Sequence, residues 1–214
     1  MSSEKVCSHH KNKRQKILQR CCGGLCALIV LLLLVILIVW AVLQPHKPRF
    51  VLQDATIFVL NVSAPNVIST TLQVTVTSHN PNSRIGIYYD RLAVRANYHN
   101  QQITYATAIP AVYQGHKDLN VWSPFIYANN VPIAPYNGLA LAQDQSAGAV
   151  RLTIKIDGRV KWKVGTFVSG RYHIHVTCPA YIPLGNSKST GIVVGGGGGN
   201  AIKYQLAQGC SVSV

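Results

Sequence analysis

Val150-Arg-Leu-Thr-Ile-Lys-Ile-Asp-Gly-Arg-Val-Lys-Trp-Lys-Val164 alternates apolar and polar residues from one end to the other. A strand points successive side chains to opposite faces, so this run has one face suited to a core and one suited to water. Asp157-Gly158 is a dipeptide fit for a tight hairpin turn. A two-residue turn there would put Ile156 and Arg159 on the same face and spoil the alternation. Because the alternation continues, one long strand is expected, with a bulge or bend at Gly158. Trp162 falls on the apolar phase and is expected in the core. Arg159, Lys161 and Lys163 fall on the other, either as a solvated charged face or as a stripe that binds anions.

Outward from this run the same period recurs. Leu72-Gln-Val74-Thr-Val76-Thr and Leu92-Ala-Val94-Arg-Ala96-Asn-Tyr98 alternate strictly. His99-Asn100 is a turn into Ile103-Thr-Tyr105-Ala-Thr107-Ala-Ile109, which predicts a hairpin. Residues 114–118 form a second turn before a strand over 119–127. Two prolines mark 129–135 as loop, and 138–142 as a short helical turn at most. Downstream, Ser169-Gly170 turns the chain into Tyr172-His-Ile174-His-Val176-Thr-Cys178. The glycine run 195–199 is a flexible loop, and Cys210-Ser-Val212-Ser-Val214 is a last strand. About seven strands without a long helix among them indicate an all-β domain, an antiparallel β-sandwich.

Upstream, the pattern breaks. Residues 23–43 contain no charge and no proline. A helix of roughly 20 residues spans about 30 Å, the hydrocarbon thickness of a bilayer. A cleavable signal peptide has a shorter apolar region and a small-residue cleavage site, which Trp40-Ala-Val-Leu-Gln44-Pro45 does not offer. Six lysines and arginines precede the run and only Lys47 and Arg49 follow closely. The excess marks the cytoplasmic side, which predicts a single-pass protein with its C-terminal part translocated. The expected organisation is a basic cytoplasmic tail (1–22), a signal-anchor helix (23–43), a stalk with a first strand (44–70) and the sandwich (71–214).

The chain carries 20 basic and 6 acidic residues, a net charge of +14, of which +5 lies in residues 1–43 and +9 beyond them. The tail's share serves topology and attracts anionic lipids. Its position a few residues before the apolar run argues against nucleic-acid binding. The remaining +9 suits either a polyanionic extracellular matrix or simple solubility. Cys21, Cys22 and Cys26 flank the expected membrane boundary as palmitoylation candidates, or as small apolar residues. Cys178 and Cys210 are the only cysteines beyond the anchor, and an oxidising compartment predicts that they are bridged. Asn61-Val-Ser63 is the single glycosylation sequon.

Catalytic patterns are missing from the sequence. His173 and His175 share one strand face without a third ligand at suitable spacing, so no metal site is assigned. Five acids beyond the anchor supply a paired-carboxylate hydrolase poorly. There is no G-x-S-x-G elbow and no Gly-Lys-[Ser/Thr] phosphate loop after the glycine run. A type II glycosyltransferase would show an Asp-x-Asp motif on an α/β scaffold, and none occurs.

Three blocks now fall in order: Asn80-Pro-Asn-Ser-Arg-Ile-Gly-Ile-Tyr-Tyr-Asp90, Asp157-Gly-Arg-Val-Lys-Trp-Lys-Val-Gly165 and Tyr172-His-Ile-His-Val-Thr-Cys-Pro179. With the basic tail and single anchor, the chain resembles the plant harpin-induced-like (NHL) family, whose ectodomain is the type-2 late-embryogenesis-abundant domain. Ser83 stands where that pattern has lysine. The resemblance implies a fibronectin-III-like sandwich, residence at the plasma membrane, and a non-enzymatic part in plant defence and stress responses. It carries over no catalytic residue and no cofactor. With the basic charge beyond the anchor, the expected partner is an anionic wall polysaccharide or a defence-signalling protein, with homo-oligomerisation open. The competing reading is a structural protectant of membrane or wall during dehydration.

Overall fold

The computed structural model describes residues 3–43, 45–63, 66–184, 192–194 and 201–214. The chain divides into two compact units, Met1–Gln44 and Pro45–Val214. The first is one helix, α1 (Ser3–Leu43). Its window Gln19–Ile38 is long and apolar enough to cross a membrane, and none of that window is buried.

The second unit runs through β1 (Arg49–Ser63), β2 (Val67–His79) and β3 (Ile85–Tyr98), then the short pieces β4 (Gln101–Gln102), β5 (Thr107–Ile109) and β6 (Val112–Gln114). Next come β7 (Leu119–Trp122), β8 (Phe125–Pro132), helix α2 (Pro135–Ala147) and the long β9 (Ala149–Val164). β10 (Phe167–Val168), β11 (Tyr172–Pro183), β12 (Ile192–Val194), β13 (Ala201–Gly209) and β14 (Ser211–Ser213) follow. They form two antiparallel sheets, as the alternation requires. A six-stranded sheet has the order β12-β13-β1-β2, with β7 and β8 in succession along β2. An eight-stranded sheet has the order β14-β11-β9-β3, with β4, β5 and β6 along β3 and β10 on β9.

The core lies between the sheets. Val150, Leu152, Ile154, Ile156 and Val160 of β9 are buried, the apolar phase read from the sequence. Each such side chain contributes about 1.5–3 kcal/mol of burial. Trp162 is half-buried at the edge of this core, not inside it. β9 is one unbroken strand, but the expected irregularity lies in its partner. Asp90 pairs with Arg159 and Ala93 with Asp157, so Arg91 and Leu92 oppose Gly158 alone. The bulge belongs to β3, with Arg91 at φ 52°.

The expected stalk is a correction. Pro48 is buried, Phe50, Leu52, Ala55 and Ile57 are core, and β1 pairs with both β2 and β13. Asn82 also clasps the incoming chain: its Oδ1 accepts from the His46 amide at 2.8 Å and its Nδ2 donates to the His46 carbonyl at 2.8 Å. The sandwich therefore starts at Pro45 and not at residue 71. Register shifts after Leu52 and after Ile57 break the phase of β1, which hides it from a period-two reading.

Smaller differences follow the same physics. His99 (φ 42°) and Asn100 (φ 67°) make the expected two-residue turn. The return strand, however, is divided into β4, β5 and β6. Pro124 splits the strand expected over 119–127 into β7 and β8. β8 continues to Pro132 through the expected loop, because an edge strand tolerates proline. Residues 138–142 lie inside a 13-residue helix started by Pro135 and stopped by Gly148 at φ 80°. The glycine run 195–199 lies outside the described residues.

Candidate functional site

The outward phase of β9 gathers charge. Arg151, Lys155, Arg159, Lys161 and Lys163 point away from the core because Leu152, Ile154, Ile156 and Val160 point into it. Arg95 joins them from β3, opposite Lys155. Arg171, from the connection between β10 and β11, reaches Asp90 with its Nε 3.6 Å from the carboxylate. Among the described residues of this face, the opposing acids are Asp90 and Asp157. Seven basic residues thus share one surface with two carboxylates among the described residues. The six-stranded sheet instead turns Thr71, Gln73, Phe125 and Tyr127 outward.

At one end the basic surface dips into an open cleft of about 610 Å³. Tyr88, Asp90 and Lys161 form its floor, Val112 and Tyr113 one wall, and Val168 and Arg171 the other. Tyr88 lies directly across from Lys161 and Gly86 across from Lys163. The missing side chain at Gly86 lets the Tyr113 ring lie over the sheet, since a Cβ there would strike that ring. The Tyr88 and Tyr113 rings are 4.5 Å apart and tilted by 40°. Lys163 Nζ caps them at 5.9 and 5.2 Å from the two centroids, within cation–π range.

A buried network fixes this wall. Gln114, next to Tyr113 and pointing the opposite way, accepts from the Tyr89 hydroxyl at 2.9 Å and donates to the Ser78 carbonyl at 2.7 Å. Tyr89 in turn packs edge-on against Phe50 at 6.0 Å and Trp122 at 5.5 Å. Burial pushes the Tyr89 phenol well above the usual tyrosine range. A residue of the inter-sheet core therefore holds β6 in the register that aims Tyr113 outward. A second hollow of about 410 Å³, lined by Ile109, Pro110, Trp122 and Phe125, presents no charged group.

Residues 75–179, from within β2 to within β11, match the family profile described as Late embryogenesis abundant protein. The chain is 52% identical over 212 residues to NDR1/HIN1-like protein 1 of Arabidopsis thaliana, covering 98% of this chain and 100% of that one. It is 55% identical over 195 residues to NDR1/HIN1-like protein 12 of the same plant, covering 91% of each. This chain belongs to the NDR1/HIN1-like family. NDR1/HIN1-like protein 26 of that plant is 38% identical over 155 residues, covering 72% of this chain and 73% of its own.

Within this family member the first quoted block is structural. Asn80 donates from Nδ2 to the Ile85 and Gly115 carbonyls at 2.7 and 2.8 Å, and its Oδ1 accepts from the Asn82 amide at 3.1 Å. Cys178 and Cys210 are joined, with Cα atoms 4.3 Å apart. The bridge stands at the corner where the chain leaves β13 in one sheet for β14 in the other. Asn61 is exposed near the tip of the β1–β2 hairpin, across from Ser69. Cys21, Cys22 and Cys26 are exposed on α1. His175 faces Asp157, its Nδ1 2.6 Å from Oδ1, while Arg95 pairs with the other carboxylate oxygen. His173 stacks beside it at 6.4 Å.

The sequence pattern singled out Lys161 and Lys163, and the fold brings both to the cleft or its rim. Arg159 lies beside it, across from Asp90. Tyr88, Tyr113, Asp90 and Arg171 escaped sequence reasoning. They come from three separate segments, and only strand pairing unites them.

Proposed function

We propose that this NDR1/HIN1-like chain is a membrane-anchored, non-enzymatic recognition protein of plant defence and stress responses. Its sandwich faces the cell wall from the plasma membrane and holds polyanionic wall material on the outer face of the eight-stranded sheet. The observation that carries this reading is the concentration of cations there against two carboxylates. Attraction from such a face reaches about 8 Å at physiological ionic strength and weakens as salt rises. Arg159, Lys161 and Lys163 form its central stripe. The six basic residues before the uncharged run 23–43 support a cytosolic tail. Cys21, Cys22 and Cys26 then become acylation sites that reinforce the anchor.

The test is retention of the full chain, in neutral-lipid nanodiscs, on immobilised pectin across a salt gradient. Replacing Arg159, Lys161 and Lys163 together with Gln is expected to weaken retention about tenfold near physiological salt, from several exposed ion pairs of about 0.2–1 kcal/mol each. Elution at the same salt as the unaltered chain overturns the reading. The late-embryogenesis-abundant family match favours a second reading, a structural protectant that shields membrane or wall during dehydration without a partner. Protection by the triple variant equal to that of the unaltered chain, with no retained partner, selects it.

A further inference from the structure

We infer that the cleft between Tyr113 and Arg171 is a subsite for one uronic-acid residue of an acidic polysaccharide. The inference rests on the wall-binding reading above and gives that face a preference for sugar over charge alone. A stripe of cations holds any polyanion. The cleft adds two features that a plain polyanion does not use.

The first is an apolar platform. Tyr88 and Tyr113 present tilted rings beside Lys161, and Tyr113 is 41% exposed despite its fixed backbone. A pyranose has one face made of C–H groups, which packs on an aromatic ring. The second feature is Asp90. Inside a basic site a carboxylate repels phosphate, sulfate and carboxylate ligands alike. Beyond its pairing with Arg171, it serves a ligand that brings hydroxyl donors together with its anion, as a uronic acid does. The Arg171 Nε faces Asp90 at 3.6 Å, and its guanidinium is more than half exposed, with no further partner among the described residues. A guanidinium edge takes a carboxylate in two parallel hydrogen bonds. Lys161, on the floor, adds a second cation to the same carboxylate. The volume, about 610 Å³, is in the range of small-ligand sites.

An acidic peptide fits less well. Extended peptides add to a free sheet edge, where backbone groups are unpaired. This cleft lies on a sheet face, and its floor strands β3 and β9 are paired with each other along the cleft. Its recognition groups are side chains alone.

Binding of three probes to the full chain in neutral-lipid nanodiscs tests the subsite: an α-1,4-galacturonate trimer, a neutral galactose trimer and triaspartate. Saturation-transfer NMR reads which ligand protons touch aromatic rings. The galacturonate trimer is expected to bind about tenfold or more above triaspartate, with its ring C–H protons saturated. Tyr113→Ala is expected to weaken the trimer about fivefold, the value of one aromatic contact, while Tyr113→Phe keeps it. Asp90→Asn is expected to weaken the trimer and to leave triaspartate equal or tighter. If Tyr113→Ala loses its cooperative unfolding, the Tyr113→Phe and Asp90→Asn pair decides. Equal affinity for trimer and triaspartate, or a trimer indifferent to both Tyr113→Ala and Asp90→Asn, overturns the subsite. Salt-dependent pectin retention that persists in that case leaves the wall-binding reading standing. Absence of retention removes both.

Discussion

A Cβ built at Gly158 would lie 2.6 Å from Leu92 Cδ2, 2.7 Å from the Arg91 carbonyl oxygen and 2.9 Å from the Leu92 Cα. Two of these three are backbone atoms of the β3 bulge, which cannot swing aside. The glycine is required by its neighbour's backbone. Gly158→Ala is therefore expected to cost about 2–3 kcal/mol, the usual penalty of overpacking a tight site. In thermal unfolding that is a drop of roughly 5–10 °C for a domain of this size. A loss under about 1 °C would mean that the bulge relaxes. Gly86→Ala is the internal contrast, because the three atoms nearest its Cβ all belong to the Tyr113 side chain, which can move. Alternation around Gly158 announced an irregularity but not its strand. The bulge is a property of the pair, and one strand's sequence shows only the residue that yields.

At the scale of elements, the buried phenols join pieces that alternation alone does not join. The Tyr98 hydroxyl donates to Asp144 Oδ2 at 2.9 Å and so fastens α2 to β3. Burial, and then the Asp144 carboxylate, push the Tyr98 phenol up to about 12 from its ordinary 10.0. A phenol raised on folding adds stability that is complete below pH 10 and lost as pH climbs through the folded value. Tyr89 shifts in the same direction. Denaturant unfolding at stepped pH is expected to show a plateau up to about pH 10 and a fall above it. In an ultraviolet titration, Tyr89 and Tyr98 should ionise above the ordinary tyrosine range. Tyr98→Phe should remove part of the alkaline fall, and an unchanged slope would exclude the coupling. α2 itself was half legible. Pro135 and Gly148 bracket it in the sequence, but its one large apolar buried residue is Leu141, so no helical stripe draws the eye. β1 was legible only as a first strand somewhere in residues 44–70: its apolar residues are plentiful, but two register shifts scramble their phase and hide how far it runs.

At the scale of the whole chain, the long strands and the basic stripe could be read from alternation, whereas the cleft could not. Asp90 and Arg171 are far apart in sequence and meet because β9 lies between β3 and β11. The proposed anchor commits the sandwich to one side of the membrane, and one measurement decides which. If the tail's cations hold it in the cytosol, the hairpin carrying Asn61 passes through the glycosylating compartment, and the exposed side chain there accepts a glycan. The Cys178–Cys210 bridge then persists outside, where it stabilises the domain by about 3–4 kcal/mol in the chain-entropy view. In intact plant cells the full chain is thus expected to carry a glycosidase-sensitive mass increment that Asn61→Gln removes. Cys178 and Cys210 should resist alkylation until a reductant is added, and a tag before Ser3 should resist external protease until the membrane is opened. The three readouts depend on one orientation and should move together. An unglycosylated chain with both thiols free and its N-terminal tag cleaved from outside would place the sandwich in the cytosol, away from any wall polymer.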